Sequence, residues 1–263
     1  MGFVYRNAII TIAACNPYHV NRGFFSVNAL SAETWYTPTG KPIIISRNHK
    51  WPLSQRGWVV QEQLLAPRTV HMANPVVWEC REMTVRVQLS MLFHFPLEKS
   101  TKIWQSGLDK SNRLSLWNQT VTQYSTCALS KPTDKLVAIG GLARTFSGAM
   151  KTDYLAGLWR DHLIQGLNWE TISPTARRLG TYRAPTWSWA SIDSPIKFNY
   201  LPDKATPLME VVQSEIVPVM NSPDGFGTPS RGNFATLLYK DEIIRVSLDE
   251  LCRLTLVECI SSL

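Results

Sequence analysis

Residues 56–80 read RGWVVQEQLLAPRTVHMANPVVWEC, and they carry the strongest fold signal in the chain. Apolar spacing predicts a helix from Gln55 to Leu65. Ser54 stands where an N-cap residue is favoured, because its hydroxyl can accept from a free backbone N–H. Pro67 ends the helix, since proline removes a backbone donor and clashes with the preceding turn. The first half of the stretch is therefore predicted to be one short helix.

The second half of the stretch and an upstream apolar run predict strands. Thr69–Met72 and Val76–Trp78 are β-prone and flank the turn-forming residues 73–75, a pattern typical of a hairpin. The upstream run Ala8–Ala14 is short, apolar and rich in Ile, as in a parallel-sheet strand buried on both faces. Residues 5–7 before it predict the end of a helix. These elements predict an α/β portion over residues 1–80.

Residues 81–183 are predicted to form a helical region. The stretch up to residue 111 is irregular. Apolar side chains then recur at helical spacing in three segments. The three predicted helices begin near Leu114, Leu136 and Leu155.

Residues 184–263 are predicted to be rich in β-structure. In Ala184–Ser191 the aromatic residues alternate, so Trp187 and Trp189 would share one face of an extended segment. They would form either an aromatic platform or a packed core. Further strands are predicted at Val211–Val219, Phe234–Tyr239, Ile243–Val246 and Leu254–Cys259. The predicted fold class is α+β: a partial α/β portion, a helical segment and a β-rich C-terminal region.

Composition excludes several classes of protein. The chain has 263 residues, 44% of them hydrophobic and 18% charged, which is typical of a folded chain rather than a disordered one. The net charge of +7 is scattered, so no nucleic-acid partner is expected. No apolar stretch is long enough to span a membrane, and five dispersed cysteines fit reduced thiols. A cytoplasmic location is the expectation.

The opening stretch resembles the HET (heterokaryon incompatibility) domain of filamentous fungi, in which R-G-W-x-x-Q-E-x-x-L-x-P-R is followed by W-E-C. The likeness extends in order over residues 2–193. Its further segments are GFVYRNA with TIAA (2–14), W-x-x-x-V-x-x-Y-S (117–125), TDKLVAIGGLA (133–143), YLAGLW (154–159) and RAPTWSWAS (183–191). The family's usual N-terminal segments, Ala-Leu-Ser-Tyr-x-Trp-Gly and a Trp-Ile-Asp strand, are not found. We therefore expect the chain to lack the N-terminal part of the domain.

This resemblance implies a role in fungal non-self recognition that leads to programmed cell death, with an unidentified protein partner of the incompatibility system. The family is thought to resemble TIR domains, some of which cleave NAD with a glutamate on a helix. The resemblance therefore leaves two alternatives open. One is a TIR-like NAD hydrolase, in which NAD would be the ligand. The other is a non-functional remnant.

Glu62 is the candidate catalytic residue under the enzymatic alternative, where its carboxylate would stabilise positive charge on a ribose. The competing interpretation pairs Glu62 with Arg56 or Arg68. Those arginines would in turn either clamp a phosphate or form structural ion pairs. The other motif residues are expected to be structural: Gly57, Trp58, Gln61, Trp78, Glu79, Cys80, Trp187 and Trp189. No metal-ligand spacing occurs, so no metal and, outside the NAD alternative, no cofactor is expected.

Overall fold

Helices and small sheets alternate in the computed structural model. It describes residues 2–15, 32–36, 42–46, 51–73, 76–87, 98–99, 113–174, 176, 178, 180–199, 209–218, 226–227, 229–239 and 242–244. The predicted α+β class is confirmed. Contacts group the chain into two units, Met1–Trp104 and Gln105–Leu263, which are described separately. The boundaries at 80 and 183 stay predictions.

A five-stranded sheet organises the first unit. Its strand order is β1-β4-β5-β6-β7, with β1 parallel to β4 and every other pair antiparallel. Strands β2 and β3 form a separate antiparallel hairpin. The elements are α1 (Gly2–Asn7), β1 (Thr11–Ala14), β2 (Ala32–Tyr36), β3 (Pro42–Ser46), α2 (Gly57–Leu65), β4 (Arg68–Met72), β5 (Val76–Cys80), β6 (Met83–Val87) and β7 (Glu98–Lys99). The predicted hairpin is confirmed as β4 and β5. Strand β6 lies in a stretch that was expected to be irregular.

Helix α2 begins two residues later than predicted. A 3₁₀ turn, Leu53–Gln55, precedes it, and the Ser54 hydroxyl donates to the carbonyl oxygen of Trp51 over 2.8 Å. The prediction of Ser54 as N-cap is therefore wrong, because its hydroxyl closes the turn before the helix. The predicted end is confirmed: Ala66 is extended and donates its N–H to the Glu62 carbonyl, one residue before Pro67.

Strand β1 pairs in parallel with β4, as the sequence predicts, with Thr11 opposite Thr69 and Ala14 opposite Met72. Its expected burial on both faces is wrong. Ile12 is 64% exposed, and Ile9 just before the strand is also exposed. Strand β1 stands at the end of the sheet order, so among the described strands only β4 covers it.

The second unit combines two long helices with two long strands and several short ones. Its elements are α3 (Arg113–Ser125), α4 (Lys135–Met150), β8 (Tyr154–Leu155), β9 (Leu158–Trp159), α5 (Leu163–Leu167), β10 (Trp169–Thr171), β11 (Ile196–Phe198), β12 (Met209–Pro218), β13 (Pro229–Tyr239) and β14 (Glu242–Ile244). The first two predicted helices are confirmed as α3 and α4. Antiparallel pairs β8–β9 and β10–β11 accompany a β12-β13-β14 sheet. The strands predicted near 211, 234 and 243 are thus present, whereas Leu254–Cys259 lies outside the described residues.

The third predicted helix is wrong over its first five residues. Ala156 and Gly157 have positive φ values of 46° and 105°, so the chain reverses there and forms the β8–β9 hairpin. Helical backbone begins at Arg160, where a 3₁₀ turn (Arg160–His162) leads into α5 (Leu163–Leu167). Apolar residues every four positions fit a tight buried hairpin as well as they fit a helix. The positive φ values decide for the hairpin, because they are not compatible with a right-handed helix.

The extended segment predicted around Trp187 and Trp189 is also wrong. Trp187 lies in a turn, and Trp189–Ser191 forms a 3₁₀ turn. Ser188 is the N-cap, and its hydroxyl oxygen accepts from the N–H of Ala190 over 3.1 Å. A capped turn forms here instead of a strand, because the Ser188 hydroxyl oxygen accepts from a backbone N–H that would otherwise donate to a neighbouring strand.

Candidate functional site

A cavity of about 170 Å³ lies in the first unit, between β1, the start of α2 and β4. It is lined by Thr11, Ile12, Ala13, Ala14, Cys15, Trp51, Leu53, Ser54, Val59, Glu62, Gln63, Thr69 and His71. An engineered cavity of about 150 Å³ holds a benzene molecule, so this volume fits a group of similar size. Ligand sites for larger molecules usually enclose about 300–1,000 Å³. The cavity therefore suits a small group or one end of a larger ligand.

The structure places Glu62, the predicted catalytic residue, on α2 at the wall of this cavity, partly exposed. Tyr5 on α1 lies beside it. Burial raises the pKa of Tyr5, and the hydrogen bond to the Glu62 carboxylate raises it further. A phenol that keeps its proton donates to the carboxylate and fixes its orientation. Glu62 is thus held at the cavity wall by its neighbour on α1.

His71 and Glu79 form a buried pair behind the same cavity. The β4–β5 register sets Thr69 opposite Glu79 and His71 opposite Val77, so the two side chains lie diagonally on the buried face. The Nε2 atom of His71 is 3.1 Å from Oε2 of Glu79, and both side chains are at most 5% exposed. The ring of Trp51 lies against that of His71, with centroids 5.3 Å apart. The imidazole is therefore fixed by a carboxylate at one nitrogen and packed by an indole.

Cys15 follows β1 and lies on the other side of the imidazole. Its Sγ is 3.7 Å from Nδ1 of His71 and also 3.4 Å from the carbonyl oxygen of Ala13. Only 1% of the residue is exposed, yet it lines the cavity. Burial raises the pKa of the thiol to about 12. Cys15, His71 and Glu79 therefore form one line of thiol, imidazole and carboxylate, which we call the thiol relay.

The other predicted motif residues of the first unit lie around α2 and the hairpin. Arg56 is the exposed N-cap of α2, and exposed Arg68 donates to the carbonyl oxygen of Ile9 over 3.5 Å. Gly57 and Gln61 are buried in α2, whereas Trp58, Trp78 and Cys80 are half-buried. Neither arginine lines the cavity. The structure therefore brings Glu62, Cys15 and His71 together at the cavity, and neither arginine is part of its lining.

Trp187 and Trp189 belong to the second unit, where both are buried. The carbonyl oxygen of Gly157 accepts from Nε1 of Trp117 and from Nε1 of Trp189, over 3.0 and 3.1 Å. The Ser188 hydroxyl donates to the adjacent carbonyl of Ala156 over 2.5 Å. We call Trp117, Ala156, Gly157, Ser188 and Trp189 the tryptophan junction. It joins two motif segments, 117–125 and 183–191, to the turn within a third, 154–159.

The cavity has a limited set of charges. Glu62 is its only charged lining residue among those that the structure describes, apart from the titratable groups of the thiol relay. The described wall of the cavity therefore disfavours anionic ligands more than neutral ones.

No group of His, Cys, Asp and Glu within the described ranges has the arrangement needed to hold a metal ion. Among the described helices, none combines the length and apolarity needed to cross a membrane.

Sequence reasoning missed Cys15 and the pairing of His71 with Glu79. A usable signal was present, because the predicted hairpin already places residues 71 and 79 on one face of adjacent strands. The contact with Cys15 depends on the parallel register of β1, which no local pattern specifies. Comparison with known proteins adds nothing here: no family model, no curated protein and no solved structure matches the chain.

Proposed function

We propose that the chain is a HET-domain protein of fungal non-self recognition, which acts in the cytoplasm with a protein partner and triggers growth arrest or cell death. The tryptophan junction is the observation that carries this proposal. Motif segments that are far apart in sequence meet at the Ala156–Gly157 turn, where each contributes a hydrogen bond. The residues that the family pattern specifies at these positions are the ones that hold one buried turn in this chain. A shared structural role of this kind supports the resemblance.

The first unit supports a TIR-like α/β portion as part of the same proposal. Strands β1 and β4 are parallel, and α2 lies between them in the chain. Parallel neighbours joined through a helix are the basic unit of α/β folds. The motif R-G-W-x-x-Q-E lies on that helix and supplies its buried residues Gly57 and Gln61.

The test is inducible expression of the chain in a filamentous fungus, alone and in one partner of a pair of strains that fuse. We expect growth arrest and uptake of a vital dye after induction or fusion. Gly157→Ala should abolish the response because it disrupts the tryptophan junction, whereas Gly148→Ala, on an exposed part of α4, should preserve it. A folded, abundant chain that leaves growth unchanged would instead support the non-functional remnant.

The alternative of an NAD hydrolase has one specific observation in its favour, which is the position of Glu62 at the wall of a cavity that Trp51 also lines. A carboxylate there would stabilise a ribosyl cation, and an indole would stack on the nicotinamide ring. Two observations oppose it. The cavity of about 170 Å³ is small for a dinucleotide, and its described lining includes no Lys or Arg to bind a pyrophosphate.

Nicotinamide release from NAD by the purified chain separates the two functions. The enzymatic alternative expects turnover that Glu62→Gln reduces by about 100-fold or more. Glu82→Gln is the matched control, because Glu82 is an exposed carboxylate outside the cavity. We expect no turnover by either variant or by the wild type. Growth arrest that persists in Glu62→Gln would then mark the chain as a signalling protein rather than an enzyme.

A further inference from the structure

The thiol relay has a geometry that neither the motifs nor the proposed function explains. A carboxylate can only accept a hydrogen bond, so the Glu79 contact requires a proton on Nε2 of His71. In the neutral imidazole, Nδ1 then carries a lone pair and lies 3.7 Å from Sγ of Cys15. A base held in one tautomer by a buried carboxylate, next to a nucleophile, is the arrangement that activates thiols and hydroxyls in covalent catalysis.

The protonation state of Cys15 determines how such a thiol reacts. Burial raises its pKa to about 12, so at neutral pH it rests as a thiol and not as a thiolate. A resting thiol reacts slowly by itself, because the thiolate is the nucleophile. It reacts when a neighbouring base removes the proton during attack. His71 is the base in position to do so.

The surroundings of Cys15 favour addition over acyl transfer. Acyl transfer needs donors that stabilise an oxyanion, and the backbone N–H of the nucleophile often supplies one of them. The N–H of Cys15 already donates to the carbonyl oxygen of Met72 over 3.3 Å. Addition to an activated carbon–carbon double bond spreads the charge over an enolate instead of a tetrahedral oxyanion, so it depends less on such donors, and it suits a soft sulfur nucleophile.

The cavity limits the size and charge of the ligand. Its volume of about 170 Å³ accepts a group near the size of benzene. Ile12, Val59 and Trp51 supply apolar contact, whereas Glu62 places a carboxylate at the wall. An anionic ligand would be repelled by Glu62 and would meet no described cation in the lining.

We propose that Cys15, His71 and Glu79 form a reactive thiol site that captures small, uncharged α,β-unsaturated carbonyl compounds. Sγ attacks the β-carbon, so an S–C bond forms and the π electrons of the double bond move to the α-carbon. The thiol proton passes to Nδ1 of His71, which returns it to the α-carbon. Atoms and electrons balance without an oxidant or a leaving group. The site does not depend on the proposed role in non-self recognition.

The test treats the full-length folded chain with methyl vinyl ketone and maps the adducts by peptide mass spectrometry. The half-buried thiols Cys80 and Cys127 serve as internal references within the same sample. We expect Cys15 to react at least about tenfold faster than either reference, and a bulky fluorescein maleimide not to reach it. Cys15→Ser removes the adduct and checks its position. Labelling of Cys15 only after denaturation would overturn the proposal.

A rate profile against pH shows whether His71 acts as the base. A thiol with a pKa near 12 that reacts unaided should speed up about tenfold for each pH unit between 6 and 9. A thiol whose proton the imidazole removes during attack should instead speed up by much less than tenfold for each pH unit, because free thiolate need not form first. The wild-type profile needs no variant, so the question is decided even if substitutions at His71 fail to fold. A slope of one throughout would refute the relay.

Two variants complete the test where they fold, as judged by circular dichroism and thermal unfolding. His71→Gln should lower the rate at Cys15 by about 100-fold and restore the linear profile. Glu79→Gln should give a smaller loss, of about tenfold, because the imidazole stays in place but loses its fixed tautomer. Equal rates in folded His71→Gln and wild type would contradict the role of the imidazole.

Discussion

Trp117 and Trp189 donate their indole N–H groups to the same acceptor, the carbonyl oxygen of Gly157, over 3.0 and 3.1 Å. Both indoles are fully buried, so each N–H would be costly without this partner. The shared acceptor is available because the turn at Ala156 and Gly157 adopts positive φ values. The tryptophan junction therefore depends on the backbone conformation of one glycine.

Replacing Gly157 by alanine should destabilise the chain by about 3 kcal/mol or more. A Cβ at this position would collide with Nε1 of Trp189, and the φ of 105° is unfavourable for any side chain. Urea unfolding measures the loss of free energy. Gly148→Ala is the control, because Gly148 is an exposed position of α4 and its Cβ would meet no neighbouring side chain or strand within 4 Å among the described residues. That control should raise stability by about 0.5–1 kcal/mol through helix propensity. Equal effects at the two sites would contradict this account.

Lys151→Gly should stabilise the chain by about 1 kcal/mol. Lys151 ends α4 in the left-handed conformation, with φ 56° and ψ 34°, and it is exposed. Glycine adopts this conformation without a steric penalty from Cβ, so the substitution relieves strain and removes no described contact. The midpoint of thermal unfolding should therefore rise.

Lys151→Ala separates relief of strain from loss of the lysine charge. Alanine keeps the Cβ and hence the penalty, so we expect its midpoint to stay close to that of the wild type. An increase for alanine as large as that for glycine would show that the charge, and not the backbone conformation, limits stability at this helix end.

Sequence patterns predicted the elements whose signals are local. Helices α3 and α4 have apolar periodicity over three turns or more, and the β4–β5 hairpin is defined by the turn residues between its strands. The segment after Tyr154 failed because its spacing of four fits a helix, whereas Ala156 and Gly157 reverse the chain. Alanine at a positive φ is uncommon, so Ala156 gave no warning of the turn, and Gly157 was its only local signal.

The candidate site was predicted only in part, for a related reason. Glu62 was found because it lies within a sequence motif, and the structure places it at the cavity. Cys15 was not found, because its contact with His71 arises from the parallel pairing of β1 with β4. Parallel register joins residues that are distant in the chain, and neither turn chemistry nor periodicity determines it.

Asp193→Asn should destabilise the chain by about 2 kcal/mol. Asp193 Oδ1 lies 2.7 Å from Nη1 of Arg183 and 3.5 Å from Nζ of Lys135, and both cations are buried. Removing the carboxylate leaves two buried positive charges without their anion, which costs about 3–5 kcal/mol in fully buried pairs. The side chain of Asp193 is 42% exposed, so solvent screens part of the interaction and the loss should be smaller.

Asp153→Asn is the matched control for this ion pair. Asp153 lies 3.3 Å from Nε of Arg160, with both side chains largely exposed. Pairs of this kind contribute about 0–1 kcal/mol. Urea unfolding of both variants at neutral pH should therefore show a clear loss for residue 193 and almost none for residue 153. Similar losses would mean that burial of the cations does not set the energy of the network.

Lys135 should make the stability of the chain rise with pH between about 8 and 10. Burial lowers the pKa of its ammonium group to about 8, from an ordinary value of 10.5, with Arg183 lowering it further and Asp193 opposing both. In this window the unfolded chain binds more protons at Lys135 than the folded chain does, so raising the pH favours folding. Below about pH 8 Lys135 is protonated in the folded chain, so folding carries the full free-energy cost of burying its charge. Between pH 8 and 10 the gain in unfolding free energy is about 2 kcal/mol.

Lys135→Met isolates this effect, because methionine fills similar space and does not titrate. Burial raises the pKa values of Tyr124 and Tyr154, which lowers stability as pH rises above about 10, but both tyrosines are present in wild type and variant. The difference in urea unfolding energy between the two proteins therefore reports Lys135 alone. From pH 8 to 10, the wild type should gain unfolding free energy relative to the Lys135→Met variant. In an Asp193→Asn background the rise should begin at a lower pH, because the carboxylate that supports the ammonium is gone. A difference that stays constant with pH would show that Lys135 keeps an ordinary pKa.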